Sequence, residues 1–471
     1  MKRFKITLFL FASLLLTVSC DKDFAEINQD PNNPTSLPSH LLLPNVIRVA
    51  QNQLNTTFVG GDMGSCWSQQ FAKVQYNDEA RYIPRQSVIA SVWSTFYADV
   101  ISDASSMYNL AEAEGNNNMM AIALTIQAHG YATLTDMYGD IPFSEAINAD
   151  TTGNIAPKYD AQADVYTGII AMLNTANGLY GSGDIDATSD IMYHGDASKW
   201  QKFTNSINFR ALMRISAKVS VGSDLQALVN AGNMFSSNDD EAKLIYLSSS
   251  PNANPLFESV VFGTRGEWKV NSEIVDIMAA SNDPRLPVIA QLQEDGIYRG
   301  KPSGLVNVPS IDYNYTNVSA IGTFYLAAEA PGYYMSNSQL QFLMAEAAQK
   351  GYISGSASDY YDAGMTASFA ANNGTDGSVY MAANTLSGSN ALSQIGNEMW
   401  KALYAQGVES WTEQRRTGYP VLSPALQAEL SQIPSRYNYP NIESSINAAN
   451  YSAAVASQGA DNLTTPLWWM N

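Results

Sequence analysis

Apolar residues recur at three- and four-residue spacing along most of this chain, the period of a helix with one buried face. Leu43, Ile47, Ala50 and Leu54 predict a first helix, and Val92, Phe96, Val100 and Met107 a second. Ala121, Leu124, Ala128, Tyr131 and Leu134 predict a third. Val165, Ile169, Met172, Ala176 and Leu179 predict a fourth, opened by a polar, acidic first turn at 160–164. Trp200, Phe203, Ile207 and Ala211 continue the series, followed near the end by Leu340, Leu343, Ala347, then Tyr361, Met365, Phe369, then Ile395, Met399, Leu403. Helices of this length joined by tight turns predict a mainly α fold of stacked tetratricopeptide-like hairpins, although no strict repeat signature can be read.

Between 251 and 334 the texture changes to Gly, Pro, Asn and isolated aromatics, with turn signals such as Asn282-Asp283-Pro284. A loop-rich insert is expected there, between helical parts at about 39–250 and 335–471. Long loops on a rigid scaffold are where binding groups sit. No Pro-rich or Gly/Ser-rich spacer separates the parts, so 39–471 is expected to form one body.

The first residues follow another logic. Lys2, Arg3 and Lys5 precede an apolar run, Ile6 to Val18, too short to span a bilayer comfortably. Ser19 and Cys20 close it, and Asp21, Lys22, Asp23 and Glu26 follow. This is the layout of a bacterial lipoprotein signal over 1–19, cut to leave Cys20 as a lipidated N-terminus. Thr17 departs from the usual leucine, and an ordinary secretory signal with an incidental cysteine is the competing reading. Acyl chains contribute about 0.8 kcal/mol per buried methylene, enough for several chains to hold a protein on a membrane without a transmembrane helix. Residues 20–38, rich in Asn, Asp and Pro, read as an extended tether.

Loss of 1–19 removes Lys2, Arg3 and Lys5 and no acid, leaving 22 basic against 44 acidic residues, a net charge near −22. Nucleic acid and anionic lipid are poor partners for such a chain, and a neutral or cationic ligand fits better than a polyanion. With Cys20 assigned to lipidation, Cys66 has no disulfide partner and reads most simply as a small buried hydrophobe.

Catalytic and metal motifs are missing. His40, His129 and His194 lie far apart with no zinc spacing, and no nucleophile elbow, phosphate loop or dinucleotide fingerprint occurs. Neither a cofactor nor a metal is expected. Asp184, Asp186 and Asp190 resemble half of a calcium loop without its glycine and distal glutamate. A glycosidase carboxylate pair has no signature in a single sequence, so a surface glycoside hydrolase stays as an alternative. A two-lobed periplasmic binder would need alternating strands and helices, which are lacking.

Aromatic content does stand out, with 8 Trp and 26 Tyr, several in polar contexts. Flat rings stack on the C–H faces of sugars while nearby amides and carboxylates bond the hydroxyls. Trp67 beside Gln69 and Gln70, Tyr76 with Asn77 and Asp78, Trp268 after Arg265, and Tyr313 with Asn314 and Tyr315 are the candidates, with Arg265 as a polar partner. Trp93, Trp200 and Trp400 share helical faces with apolar residues and belong to the core.

Several blocks occur in order: Phe24 to Asn32, Leu134 to Ala146 around Gly139-Asp140-Ile141-Pro142, Pro157 to Asp160, and Gly195 to Trp200 leading to Asn205 and Arg210. Ala345 to Ala347, Trp400 to Tyr404, Glu409 to Trp411, Arg415-Arg416-Thr417-Gly418-Tyr419-Pro420 and Arg436 to Pro440 complete them. Together they resemble the SusD/RagB family of outer-membrane lipoproteins, in its branch with the C-terminal arginine pair. The resemblance implies a SusD-like α-α superhelix and a non-catalytic lipoprotein facing the cell exterior. It implies capture of oligosaccharides, or in some members other nutrients such as a peptide or small metabolite, as a lid on a SusC-type TonB-dependent barrel. Family binding positions vary, so no ligand residue transfers by motif. The blocks read as scaffold: the Gly139 turn stops a helix, and Arg415 and Arg416 can pair with helix-terminal carbonyls or carboxylates.

Overall fold

Each run of helical spacing forms a helix in the computed structural model, which describes residues 37–306 and 312–470. Cys20, the signal and all but the last residues of the tether lie outside the described residues. Leu43–Asn55 buries Leu43, Val46, Ile47 and Ala50, the face its spacing predicts. The run through Val92 and Met107 is one continuous rod whose winding changes twice: α over Gln86–Ser94, π over Thr95–Ile101, and α again over Ser102–Glu114. Gly115, in the left-handed region at φ +69, ends it, and the Asn116 side chain caps the next helix by accepting the Met119 N–H at 3.1 Å.

Helix hairpins then stack. Ser102–Glu114 packs on Asn117–Tyr138, Gln162–Leu179 on Ala197–Ile215, and Asn337–Gln349 on Ala357–Ala371. Asn117–Tyr138 also meets Gln162–Leu179, and Asn337–Gln349 meets Ala391–Ala402, which in turn packs on Gly407–Thr417. Trp93, Trp200 and Trp400 are buried in the core as their spacing predicts.

Buried charge ties the stack together. Arg214 reaches Asp136 at 3.2 Å and Glu409 at 2.7 Å, and pairs with Glu413. Arg416 donates to Glu413 of its own helix at 2.9 Å and to Glu346 at 2.8 Å, joining Gly407–Thr417 to Asn337–Gln349. Arg415 instead donates to the carbonyls of Asp136 at 3.0 Å and Ser435 at 2.6 Å, with its guanidinium 3.5 Å from the centre of the Trp411 ring. The arginine pair thus uses both partners that the sequence allows it, carbonyls for one and carboxylates for the other.

Among the described residues the strands form three two-stranded antiparallel sheets: Phe71–Lys73 with Trp268–Val270, Ile141–Pro142 with Tyr159–Asp160, and Ala242–Leu244 with Gly332–Met335. The first ties the loop-rich stretch to the N-terminal helices in the register Phe71↔Val270 and Lys73↔Trp268. Bridges Lys269↔Ala320, Asn271↔Lys301 and Ala290↔Ile321 extend it through the loops. Just before the first strand, a π-wound segment, Thr57–Ser65, crosses Gly407–Thr417 so closely that a Cβ on Gly407 would lie 2.0 Å from the Gly60 carbonyl oxygen. Glycine at 407 is what allows the approach.

Candidate functional site

The Lys73↔Trp268 end of the first strand pair collects most of the candidate residues. Val74 donates to the Glu267 carbonyl at 3.0 Å, and the two chains then part, one toward Tyr76 and the other back toward Thr264. Tyr76 is 57% exposed, and both it and Thr264 hold left-handed backbone, at φ +56 and +52. A residue with a Cβ in that region costs about 1–3 kcal/mol, and such strain gathers at binding sites.

Tyr315, 45% exposed, joins Tyr76 on this surface, its hydroxyl donating to Gln75 Oε1 at 2.7 Å. Its loop is closed by asparagines: Asn314 Oδ1 accepts the N–H groups of Thr316 at 2.9 Å and Asn317 at 3.1 Å, and Asn317 Oδ1 accepts that of Asn314 at 2.7 Å. Tyr313, half-buried, has the Lys301 ammonium 5.7 Å from its ring centre. Arg265 lies between two rings, 4.9 Å from Trp268 and 5.6 Å from Phe58, and is ion-paired with Glu267. Arg85 covers Phe58 at 4.8 Å and pairs with Glu79.

Trp268 forms the floor of this surface. It is only 1% exposed, and its indole N–H donates to Asp62 Oδ1 at 2.7 Å. Lys73 lies 3.0 Å from the same oxygen and 5.0 Å from the Trp268 ring centre. Burial pushes the Asp62 carboxyl up to about 6, against the pull of Lys73. Arg265, Tyr76, Tyr313 and Tyr315 are thus assembled in one region with Trp268 beneath them as support, its ring closed off from solvent.

Trp67 is elsewhere. It has 0% exposure, donates its indole N–H to the Glu79 carbonyl at 2.8 Å, and meets Tyr82, Trp411 and Tyr437 edge to face. In place of a sugar platform the structure gives a core tryptophan. Its glutamine neighbours suggest a polar surface but are buried too, Gln69 bonding the Ser423 carbonyl and Gln70 that of Trp400 at 2.7 Å.

Four residues of the surface escape the sequence reading, Phe58, Arg85, Lys269 and Lys301. Phe58 lies inside the π-wound segment, where no aromatic-plus-polar context marks it. Lys269 and Lys301 are buried under the tyrosine loop, and burial lowers both, Lys301 to about 8.

Two clefts lie within the packed elements. One is lined by His129, Arg210, Arg214, Glu409 and Tyr333; the other by Thr57, Gly61, Phe71, Tyr325 and Tyr404. In the first, the charged groups are committed to one another, Glu409 lying 2.7 Å from Arg214 and 3.9 Å from Arg210. Burial holds His129 down to about 3, so it stays neutral and is a poor proton acceptor.

The half calcium loop is a set of turns: Asp186 accepts from Thr188 and Ser189, while Asp190 accepts the Gly195 N–H at 2.9 Å and the Trp200 indole at 2.8 Å. Among the described residues no grouping of His, Cys, Asp or Glu could hold a metal ion, and no helix is long and apolar enough to cross a membrane.

Comparison with known proteins agrees with the fold. The SusD-like family described as "Starch-binding associating with outer membrane" matches residues 31–440. A chitin-binding protein of known structure is 25% identical with a TM-score of 0.80, over 92% of this chain and 99% of its own. A chitin-binding SusD homologue from Flavobacterium johnsoniae is 22% identical with a TM-score of 0.79, over 92% and 98%. A SusD homologue from Bacteroides uniformis is 22% identical with a TM-score of 0.80, over 91% and 99%. No curated protein sequence matches the chain.

Proposed function

The chain belongs to the SusD-like family, and from that premise we propose that it is a binding lipoprotein capturing oligosaccharides at the outer-membrane surface. Cys20 carries the lipid, the body faces the cell exterior, and captured glycan passes to a SusC-type TonB-dependent barrel. Tyr76 and Tyr315 form the binding surface.

The observation that carries this reading is the pair of exposed tyrosines, one on strained backbone and the other on a loop closed by its own asparagines. Exposed rings on fixed backbone lose little entropy when a sugar stacks on them. Nearby carboxylates are already engaged, Glu267 by Arg265, Glu79 by Arg85, and Asp62 by Lys73 and Trp268, which favours binding over bond cleavage. The chitin-binding relative at 25% identity and the family's starch-binding description support a sugar ligand.

Isothermal titration against a panel of malto-oligosaccharides, chito-oligosaccharides and acidic oligosaccharides tests the proposal. At least one binds, and Tyr76→Ala and Tyr315→Ala each weaken it about tenfold or more. Failure of every glycan, with binding of a peptide or small metabolite, would replace the ligand class and leave a non-glycan lid. Release of shortened products from a polysaccharide would replace binding with hydrolysis.

A further inference from the structure

Most buried lysines and arginines among the described residues are given a carboxylate. Lys73, Arg210, Arg214, Arg285, Lys401, Arg416 and Arg436 each lie within 4.0 Å of one. Among the described residues, the buried cations without one are Arg415, Lys269 and Lys301. Arg415 belongs to the helical stack, where carbonyls and the Trp411 ring receive it. The two lysines each lie against a ring of the tyrosine loop, Lys269 against Tyr315 and Lys301 against Tyr313, in a sequence with 44 acidic residues against 25 basic ones.

Lys269 is 6% exposed and Lys301 1% exposed. Lys269 donates to the Tyr315 carbonyl at 3.0 Å, and its ammonium is 5.8 Å from the Tyr315 ring centre. Lys301 donates to the carbonyls of Leu305 at 2.7 Å and Pro302 at 3.3 Å, and faces the Tyr313 ring. Each therefore meets only neutral acceptors. A charge removed from water without a counter-ion is costly, and its field reaches further through a low-dielectric wall than through solvent. That field emerges beneath the loop that presents Tyr315. At the same surface Arg265 and Arg85 are partly exposed beside Phe58; each already holds one carboxylate, Glu267 and Glu79, and its guanidinium has further N–H groups suited to a second carboxylate or a sulfate.

We propose that the oligosaccharide taken at the Tyr76–Tyr315 surface carries an anionic substituent, a carboxylate or a sulfate on its sugar rings. Lys269 and Lys301 supply the missing half of an ion pair through the field, and Arg265 and Arg85 supply contact. This rests on reading the surface as a glycan site, and it reverses locally what the net charge near −22 suggests. A positive site in a negative chain selects its ligand at the site while the rest of the surface repels other polyanions.

The test is calorimetry on the full mature protein with four probes: oligogalacturonate for the carboxylate, a sulfated galactan oligosaccharide for the sulfate, and malto- and chito-oligosaccharides as neutral arms. One acidic probe binds about tenfold tighter than either neutral one, and raising the salt from below to above physiological ionic strength removes most of that margin. Lys269→Gln and Lys301→Gln erase the margin, while Lys301→Arg keeps it. Should those variants fail to fold, the salt series on the unaltered protein decides. Neutral probes binding as tightly as acidic ones, or an acidic preference indifferent to salt, overturns the proposal and leaves the glycan site standing. Absence of binding by all four overturns both.

Discussion

The helical stack and the tyrosine surface treat charge in opposite ways. In the stack, Arg214, Arg285 and Arg416 are each clasped by two or more carboxylates from other elements or from their own helix turn. At the surface, Lys269 and Lys301 meet only carbonyls and ring faces, and two tyrosines are left open to solvent. A region whose polar groups satisfy one another fixes a shape. One whose groups are left short of partners is ready for a ligand, and it needs the first to hold it in place.

The largest effects of substitution therefore belong to the buried groups, in the stack and beneath the surface. Glu409→Ala removes the carboxylate that faces Arg210 and one of the three that hold Arg214, and breaking a buried pair this way costs about 3–5 kcal/mol, read as a fall in the denaturant midpoint. Trp268→Ala empties the floor of the site and frees Asp62 from its indole donor, an expected loss of about 3–5 kcal/mol. Tyr76→Ala is the contrast: as an exposed change that keeps the Cβ on its left-handed backbone it shifts stability by no more than about 0.5 kcal/mol, while glycan affinity falls about tenfold. If Tyr76→Ala unfolds the protein, the division between the two regions is wrong.

Acid sharpens the same contrast. Burial alone would raise Glu346, Glu398 and Glu409, but Arg416, the pair Lys401 and Arg285, and the pair Arg210 and Arg214 hold them at about 2. Folded values below the unfolded value of 4.5 mean stability present above that pH and lost as pH falls toward 2. Asp62 runs the other way: with a folded value near 6 against 3.8 unfolded, the native state holds the extra proton, so its contribution declines as pH rises between those values. Circular dichroism across an acid titration should show helix lost below about pH 4. The smallest effect is that of Tyr315→Phe, which removes only the exposed bond to Gln75 and costs less than about 0.5 kcal/mol, read in the same denaturation assay.

The helices were legible because a buried helical face writes its period into the chain, as Val165, Ile169 and Ala176 do. Tyr76 and Tyr315 were legible because Asn77, Asp78 and Asn314 mark the turns that expose them. Trp67 misleads for a physical reason: Gln69 and Gln70 are polar, yet their amides bond backbone carbonyls more than 300 residues away, a pairing local sequence cannot show. Trp268 is likewise buried by Asp62, 206 positions earlier. Lys269 and Lys301 look like ordinary surface lysines, because the lack of a facing acid is a property of the assembled loops.

Hydrogen exchange with and without the tightest-binding oligosaccharide tests directly whether the two regions divide the work. The account predicts ligand-induced protection confined to 74–78 and 312–320, with the helices around the cleft lined by His129 and Arg210 unchanged. Protection at 128–136 and 406–412, with the tyrosine loop unaffected, would place the ligand in that cleft and contradict it.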